Sequence, residues 1–424
     1  MTANEKVFAL NCISTSRNGC LYSITEDPDG NVWACGEMHD GLWIRPSIVV
    51  MDKNTKKTSV GKQILILGNG CLHSITDGSD GNIWACGGIY EHLFYNPFFI
   101  AVDKNTKEMV IQKHILTSSE GCLRSITEGP DGNMWACGFI NNGSYDEPFF
   151  IVINKDTKEI VTQKCILTSG NGQLYSISEG PDGNVWACGF VYNGSCNKPF
   201  FVVIDKNTKE VIMQKHILTS NHGYLHSIID GSDGNIWACG KIHNGYCDRP
   251  FIIAIDKNTK EIPMQRYILT PRYGELHFIT KDFNNNIWAY GHIHDGLYWT
   301  PFILFINKDT DTKEAFVQEY IFTSGNGCLY SAIFPTKNTG SSMWMCGGTY
   351  VDLHEKPFIV DIDLTNMLDT CSLVREVDFE VKETNHTTED AFYPVVDTDY
   401  SIKPTSYAIE ILKYHRNSRR KIIK

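Results

Sequence analysis

Hydrophobic residues along this chain come in short runs, and polar residues cut the runs apart at regular intervals. Between Gly121 and Thr168, GCLRSITE alternates apolar and polar side chains and stops at Gly129-Pro-Asp-Gly-Asn133. MWACGFI follows, then the polar NNGSYDE, the apolar PFFIVIN, the turn KDTKE and finally IVTQKCILT. Runs this short, bounded by Gly, Pro, Asn and Asp and without helical periodicity, predict four strands. Asp-Gly suits the first hairpin because Gly accepts positive φ at no steric cost. The sixth copy has Asn284-Asn285 there, and Asn is the next most tolerant residue.

The same pattern recurs along the chain. Trp33, Trp84, Trp135, Trp186, Trp237 and Trp288 stand 51 residues apart, and Trp344 follows after 56. The extra residues fall in the turns at Asn307–Glu314 and Pro335–Met343. Seven copies of a four-stranded unit predict an all-β, seven-bladed propeller of antiparallel blades over residues 1–363. Val7–Ile13 (VFALNCI) matches the fourth strand Val110–Leu116 (VIQKHIL) in pattern. The N-terminal strand is therefore expected to complete the last blade and leave no free edge. Residues 364–424 are read as a non-repeat extension, partly disordered or packed on the ring. It is acidic from Asp369 to Asp390 and basic in KYHRNSRRKIIK, with one candidate strand at Thr405–Leu412.

The copies can be aligned with one another, so constant positions mark what every blade needs. These are the Asp-Gly-Asn turn between strands A and B, Trp-Ala-Cys-Gly, the Pro opening strand C, and the Asp-Lys-Asn-Thr-Lys turn between C and D. In a propeller the A–B and C–D turns share one face, and the B–C loops and D–A links share the other. The constant turns thus predict a uniform face, and the variable loops a face that differs from blade to blade. Three columns stand out on the variable face. The first is His39, Tyr90, Asn141, Tyr192, His243, His294 and Tyr350. The second is Trp43, Phe94, Tyr145, Cys196, Cys247, Tyr298 and His354. The third lies on strand A and is expected to rim the central channel: Tyr22, His73, Arg124, Tyr175, His226, His277 and Tyr330. Variable loops on a rigid scaffold are where binding residues concentrate.

Charge and cysteine content narrow the classes. A formal net charge of −11 argues against a nucleic-acid partner, which would need a basic footprint. No segment approaches the apolar length of a membrane helix, so a membrane association is not expected. The N-terminal MTANEKVFALNCIS lacks a basic region ahead of an apolar one, so no secretory signal is expected. The 15 cysteines are then read as reduced thiols of a soluble cytoplasmic chain, or of one delivered into a host cytosol.

The tempting motifs have plainer explanations. Asp27-Pro-Asp-Gly-Asn31 begins like a calcium loop, but a strand follows at once and the twelfth-position Glu is missing. Cys35 and its equivalents recur once per blade, which spreads them around a ring; they are read with the Trp column as packing between blades. His292-Ile-His294-Asp295 puts two imidazoles on one side of a strand, yet the partner His is missing in the other copies, and no metal is expected. Nothing matches a nucleophile elbow or a phosphate-binding loop.

The blade pattern GxLxSIxxxxDGNxWACG resembles that of the propellers related to the regulator of chromosome condensation. It is also similar to bacterial sensor-type and delta-sixty-type propeller repeats. The first resemblance implies guanine-nucleotide exchange on a small GTPase, and all of them imply the propeller fold. Taken together, the residues point to a non-catalytic, monomeric scaffold without cofactor that binds a protein or peptide on its variable face. The alternatives are a lyase or hydrolase working at the channel mouth through His73, His226, His277 and Arg124, and an assembly component. Deleting residues 1–14 is expected to lower the thermal midpoint by opening the last blade; an unchanged melting curve would remove the strand-closure reading.

Overall fold

The computed structural model describes residues 18–306 apart from 53–61, 67, 92 and 295. It further describes 316–321, 327–334, 342–351, 354–363 and six short segments beyond residue 373. Seven antiparallel sheets follow one another along the chain, as the repeat requires. Blade 3 is representative, with strands Gly121–Glu128, Met134–Asn141, Asp146–Ile153 and Ile160–Ile166 paired in chain order. Blade 7 has three described strands, Gly327–Ile333, Ser342–Val351 and His354–Asp363. Its expected fourth strand, Val7–Ile13, lies outside the described residues. No helix occurs among the described residues, so none is long and apolar enough to cross a membrane.

Strands B and C are apolar on both faces because each is sandwiched between two neighbouring blades. Phe149 and Phe150 are adjacent in sequence and point to opposite seams. Phe149 packs with Trp84 and Phe99 of blade 2, and Phe150 with Leu174, Val185 and Ala187 of blade 4. Trp135 and Cys137 enter the blade 4 seam as well, and Trp135 stacks on Phe150 at 6.3 Å. Truncating one such Trp to Ala removes packing on the order of 3–5 kcal/mol.

The Gly of Trp-Ala-Cys-Gly does not end strand B, as its place after the apolar run suggests. It lies mid-strand, opposite a β-bulge in strand A. In blade 1, Leu21 pairs with Gly36 and Ser23 with Cys35, so Tyr22 has no partner. The bulge presses strand A so close that a Cβ on Gly36 would sit 2.0 Å from the Cys20 carbonyl oxygen. A Cβ on Gly138 or Gly189 would sit 1.9 Å from the equivalent carbonyl oxygens of Cys122 and Gln173. The Ser after the bulged residue stitches the blades together near the axis. Ser23, Ser74, Ser125 and Ser176 Oγ accept from the amides of Ile75, Ile126, Ile177 and Ile228 in the next blade, each at 3.2 Å.

The constant turns of one face lock onto each other. Trp135 Nε1 donates to Asp131 Oδ1 at 2.8 Å, and Lys209 from the C–D turn of blade 4 pairs with the same carboxylate while lying 4.9 Å over the Trp135 ring. Lys158 bridges to Asp80 and Trp84 in the same way, and Lys260 to Asp182 and Trp186. These lysines hold φ near +60°, the conformation that aims them across the seam. In blade 1 the Trp is capped from two residues earlier: Asp27 accepts from Trp33 Nε1, Asn31 and the Asp29 amide. That spends the carboxylate that looked like the start of a calcium loop.

The C-terminal extension was expected to supply one strand near Thr405–Leu412. Among the described residues it supplies six, each beginning seven residues after the last: Val374–Glu376, Val381–Glu383, Thr388–Asp390, Val395–Asp397, Ile402–Pro404 and Ile409–Lys413. They pair antiparallel with the outer strands of blades 6, 5, 4, 3, 2 and 1 in that order. The tail thus runs backwards around the ring and covers edges that would otherwise be open to pairing. A period of seven matches neither strand nor blade, and three-residue strands carry almost no pattern of their own.

Removing a latch lysine should be measurable. Lys158→Ala is expected to cost about 1–3 kcal/mol of stability, read as a lower denaturant midpoint. Burial opposes ionisation of Asp80, Asp131 and Asp182, but their lysine and indole hydrogen bonds outweigh it and hold these carboxyls below the usual range. A depressed carboxyl contributes stability above its unfolded pKa of about 4 that is lost as pH falls through the folded value. Acid unfolding followed by Trp fluorescence should therefore begin below about pH 4. Asp131→Asn should lose less stability than the native chain over that range.

Candidate functional site

Bulging strand A presents one such side chain per blade, and the third sequence column becomes a chain of neighbouring contacts. Tyr22 meets His73 at 5.4 Å and Tyr330 at 5.3 Å between ring centroids. Tyr175 meets His226 at 5.2 Å, His226 meets His277 at 5.7 Å, and His277 meets Tyr330 at 5.0 Å. Arg124 joins the ring through a 2.9 Å contact from its guanidinium to His73 Nε2. Arginine only donates, so His73 accepts there and carries its proton on Nδ1. Burial and the Arg124 charge hold His73 well below the ordinary histidine range, and it is neutral at pH 7. All seven side chains of this column are half-buried.

One step nearer the variable face, strand A contributes Cys20, Cys71, Cys122, Gln173, Tyr224, Glu275 and Cys328. Strand B contributes the residue after its constant Gly, and the register sets Cys20 opposite Glu37, Tyr224 opposite Lys241 and Glu275 opposite His292. Glu275 is the hub of this layer. Its Oε2 lies 2.8 Å from Lys241 Nζ and 3.6 Å from His226 Nε2; its Oε1 lies 3.5 Å from His277 Nε2 and 3.4 Å from His292 Nε2. His277 Nε2 and His292 Nδ1 share a hydrogen bond of 2.9 Å. Burial opposes ionisation of Glu275, yet His277, His226 and Lys241 outweigh it and hold its carboxyl well below the usual range. Burial pushes His277 down to about 3 and His292 down to about 4, so both imidazoles are neutral at pH 7. The donor atoms of Glu275, His277 and His292 lie within 4.8 Å of one another, a grouping that could hold a metal ion. Across the mouth, burial raises the carboxyls of Glu37 and Glu355 instead.

Several members of the first column hold the B–C hairpins. His243 and His294 Nδ1 accept the amides of Gly245 and Gly296, Asn141 accepts that of Gly143, and the Tyr192 hydroxyl donates to the Gly194 carbonyl. These side chains brace the B–C hairpins, whose first central residue is a Gly at φ near +100°. His39 and Tyr90 are exposed, and the Tyr350 side chain lies outside the described residues. His292 and His294 do share a side, both edge-on to Trp299 at 4.5 and 5.1 Å, but His294 serves its turn while His292 turns to Glu275. His292 thus pairs with Glu275 and His277 and not with His294, and Asp295 lies outside the described residues.

In the second column Trp43, Phe94, Tyr298 and His354 are exposed, Tyr145 is half-buried, and Cys196 and Cys247 are buried. The hairpin tips beside them are more exposed still: Leu42 and Tyr246 at 88% and Leu297 at 79%. No sequence column named these tips, although a bulky apolar residue right after a turn Gly marks them. Glu275 and Lys241 were also missed, because they sit beside constant positions and read as part of strand pattern. On the opposite face a groove of 580 Å³ runs past Glu179, Asp230 and Lys281.

No family model matches the chain, so the resemblance to condensation-regulator and sensor-type repeats extends no further than the propeller. No curated protein matches it either. Among solved structures it is similar to Kuenenia stuttgartiensis hydrazine synthase, at 14% identity and a TM-score of 0.57, over 82% of this chain and 96% of that chain. It is also similar to Chaetomium thermophilum Sqt1, at 10% identity and a TM-score of 0.49, over 81% of this chain and 96% of that one. At such identities the likeness is one of fold.

Thiol chemistry tests the seams. Burial pushes Cys122 up to about 11 and raises Cys35, Cys86 and Cys188 further. Peptides carrying these cysteines should stay unmodified by iodoacetamide at neutral pH in the native protein and react fully in urea. Rapid native labelling of Cys86 would contradict the packed seam.

Proposed function

We propose that this protein is a binding scaffold whose variable face engages a protein or peptide partner. One observation carries the reading. Of the fourteen large hydrophobic side chains exposed among the described residues, ten lie on the B–C loops and D–A links, and only Phe283 lies in a constant-face turn. Folding gains nothing from leaving Leu42, Trp43, Leu93, Phe94, Tyr246, Leu297 and Tyr298 in water, and interface cores are built from such residues. They form two groups, one on blades 1 and 2 and one on blades 5 and 6. Each rides on a hairpin tip whose backbone is held by its own turn contacts, such as those of Asp40 to the Leu42 and Trp43 amides. A partner therefore meets preformed anchors and spends little ordering them.

The test compares the native chain with a Leu42→Asp/Leu297→Asp variant as bait in a lysate. These tips touch no core cluster, so the melting curve should hold while partner capture falls at least tenfold. Phe283→Asp on the other face should leave capture unchanged. Equal capture by all three proteins would defeat the proposal.

A further inference from the structure

We propose that the channel mouth of blade 6 is a divalent transition-metal site of the zinc class, built from Glu275, His277 and His292. The three donors come from two paired strands with no loop between them and the backbone ladder. Glu275 and His277 lie two apart on Gly274–Lys281, and His292 stands directly across from Glu275 on Ile287–His294. The bulge at His277, between Leu276 and Phe278, turns that imidazole inward so that all three converge. Two histidines and one carboxylate are a donor set that zinc takes with one position left for water or a ligand.

The separations are of the right size. Metal–donor distances of about 2.0–2.1 Å in a tetrahedron put donors roughly 3.3–3.4 Å apart. Glu275 Oε1 lies 3.4 Å from His292 Nε2 and 3.5 Å from His277 Nε2. The 2.9 Å hydrogen bond between the imidazoles uses the other ring nitrogen, His292 Nδ1. With one donor atom from each residue the three lie within 4.8 Å of one another, and a turn of the His292 ring closes the set around an ion. The second carboxylate oxygen is already oriented: Lys241 holds Oε2 at 2.8 Å and is itself tied to Asp248 at 3.2 Å. Outer partners of this kind fix a ligand's orientation in metal sites.

Comparison among the blades singles this place out. The equivalents of Glu275, His277 and His292 are Cys71, His73 and Gly88 in blade 2, and Gln173, Tyr175 and Phe190 in blade 4. Among the described residues only this group brings three metal-ligating side chains together. The scaffold repeats and the chemistry does not. The site lies inside the face whose rim is proposed to bind a partner, but it stands on its own donors whether or not that partner exists.

The test uses the full chain, stripped with a chelator, titrated with zinc chloride by calorimetry and with cobalt(II) by visible absorption. One equivalent should bind, and cobalt should give the intense visible bands of a four-coordinate site. Glu275→Gln, nearly isosteric, and His292→Ala should each weaken binding at least tenfold, while His294→Ala should bind as the native chain does. Far-UV circular dichroism confirms that each variant is folded. Absence of zinc uptake by the folded native chain would overturn the proposal. So would full retention in Glu275→Gln and His292→Ala, or loss in His294→Ala with retention in Glu275→Gln.

Discussion

No side chain fits between strand A and the Gly that follows Trp-Ala-Cys, and much of the molecule depends on that contact. With a Cβ only 1.9–2.0 Å from a carbonyl oxygen, any other residue would push strand A off strand B. The close approach accommodates the bulge, and the bulge turns one side chain per blade into a shared ring of contacts. The layer one step nearer the variable face sits on that ring, and there Glu275 and His292 meet His277 of the ring. A backbone constraint repeated in every blade thus decides where the singular chemistry sits.

Around the axis the blades are held by three different kinds of contact, each drawn from a constant part of the repeat. Apolar side chains of strands B and C fill the seams. Serine hydroxyls take up amides of the next blade near the axis. On the constant face, lysines in a left-handed conformation reach across to an Asp–Trp pair. The C-terminal belt adds a fourth, on the outside, by pairing with six outer strands in reverse order. Because these contacts use the uniform face, the axis and the perimeter, the loops of the variable face differ from blade to blade.

Reading the copies against one another made the fold, the seam role of Trp and Cys, and the division into two faces legible, since each follows from local spacing repeated seven times. The ring column was legible too, as one strand-A position repeated in every blade. What escaped notice shares one physical cause. Glu275 and Lys241 look like ordinary strand residues until the register sets Glu275 across from His292 and the ring brings Lys241 in from the next blade. The belt escaped because strands of three to five residues show no alternation of their own, and their partners lie from 53 to 351 residues away. The turn-bracing contacts of the first column escaped notice because imidazole and amide groups that brace a glycine turn look the same in sequence as groups that face a ligand.

By itself, then, the sequence determined that the chain folds as seven antiparallel blades with one conserved and one divergent face. Strand length, turn chemistry and apolar alternation are local properties, and a repeat states them seven times. The tertiary structure alone decided which side chains converge, because convergence at the axis sums small placements from different blades: a bulge, a register and a neighbour 51 residues away. The same holds for the belt, whose strands exist only where an open edge receives them. Distance in space is the quantity that metal ligation, proton sharing and strand addition depend on, and no local pattern carries it.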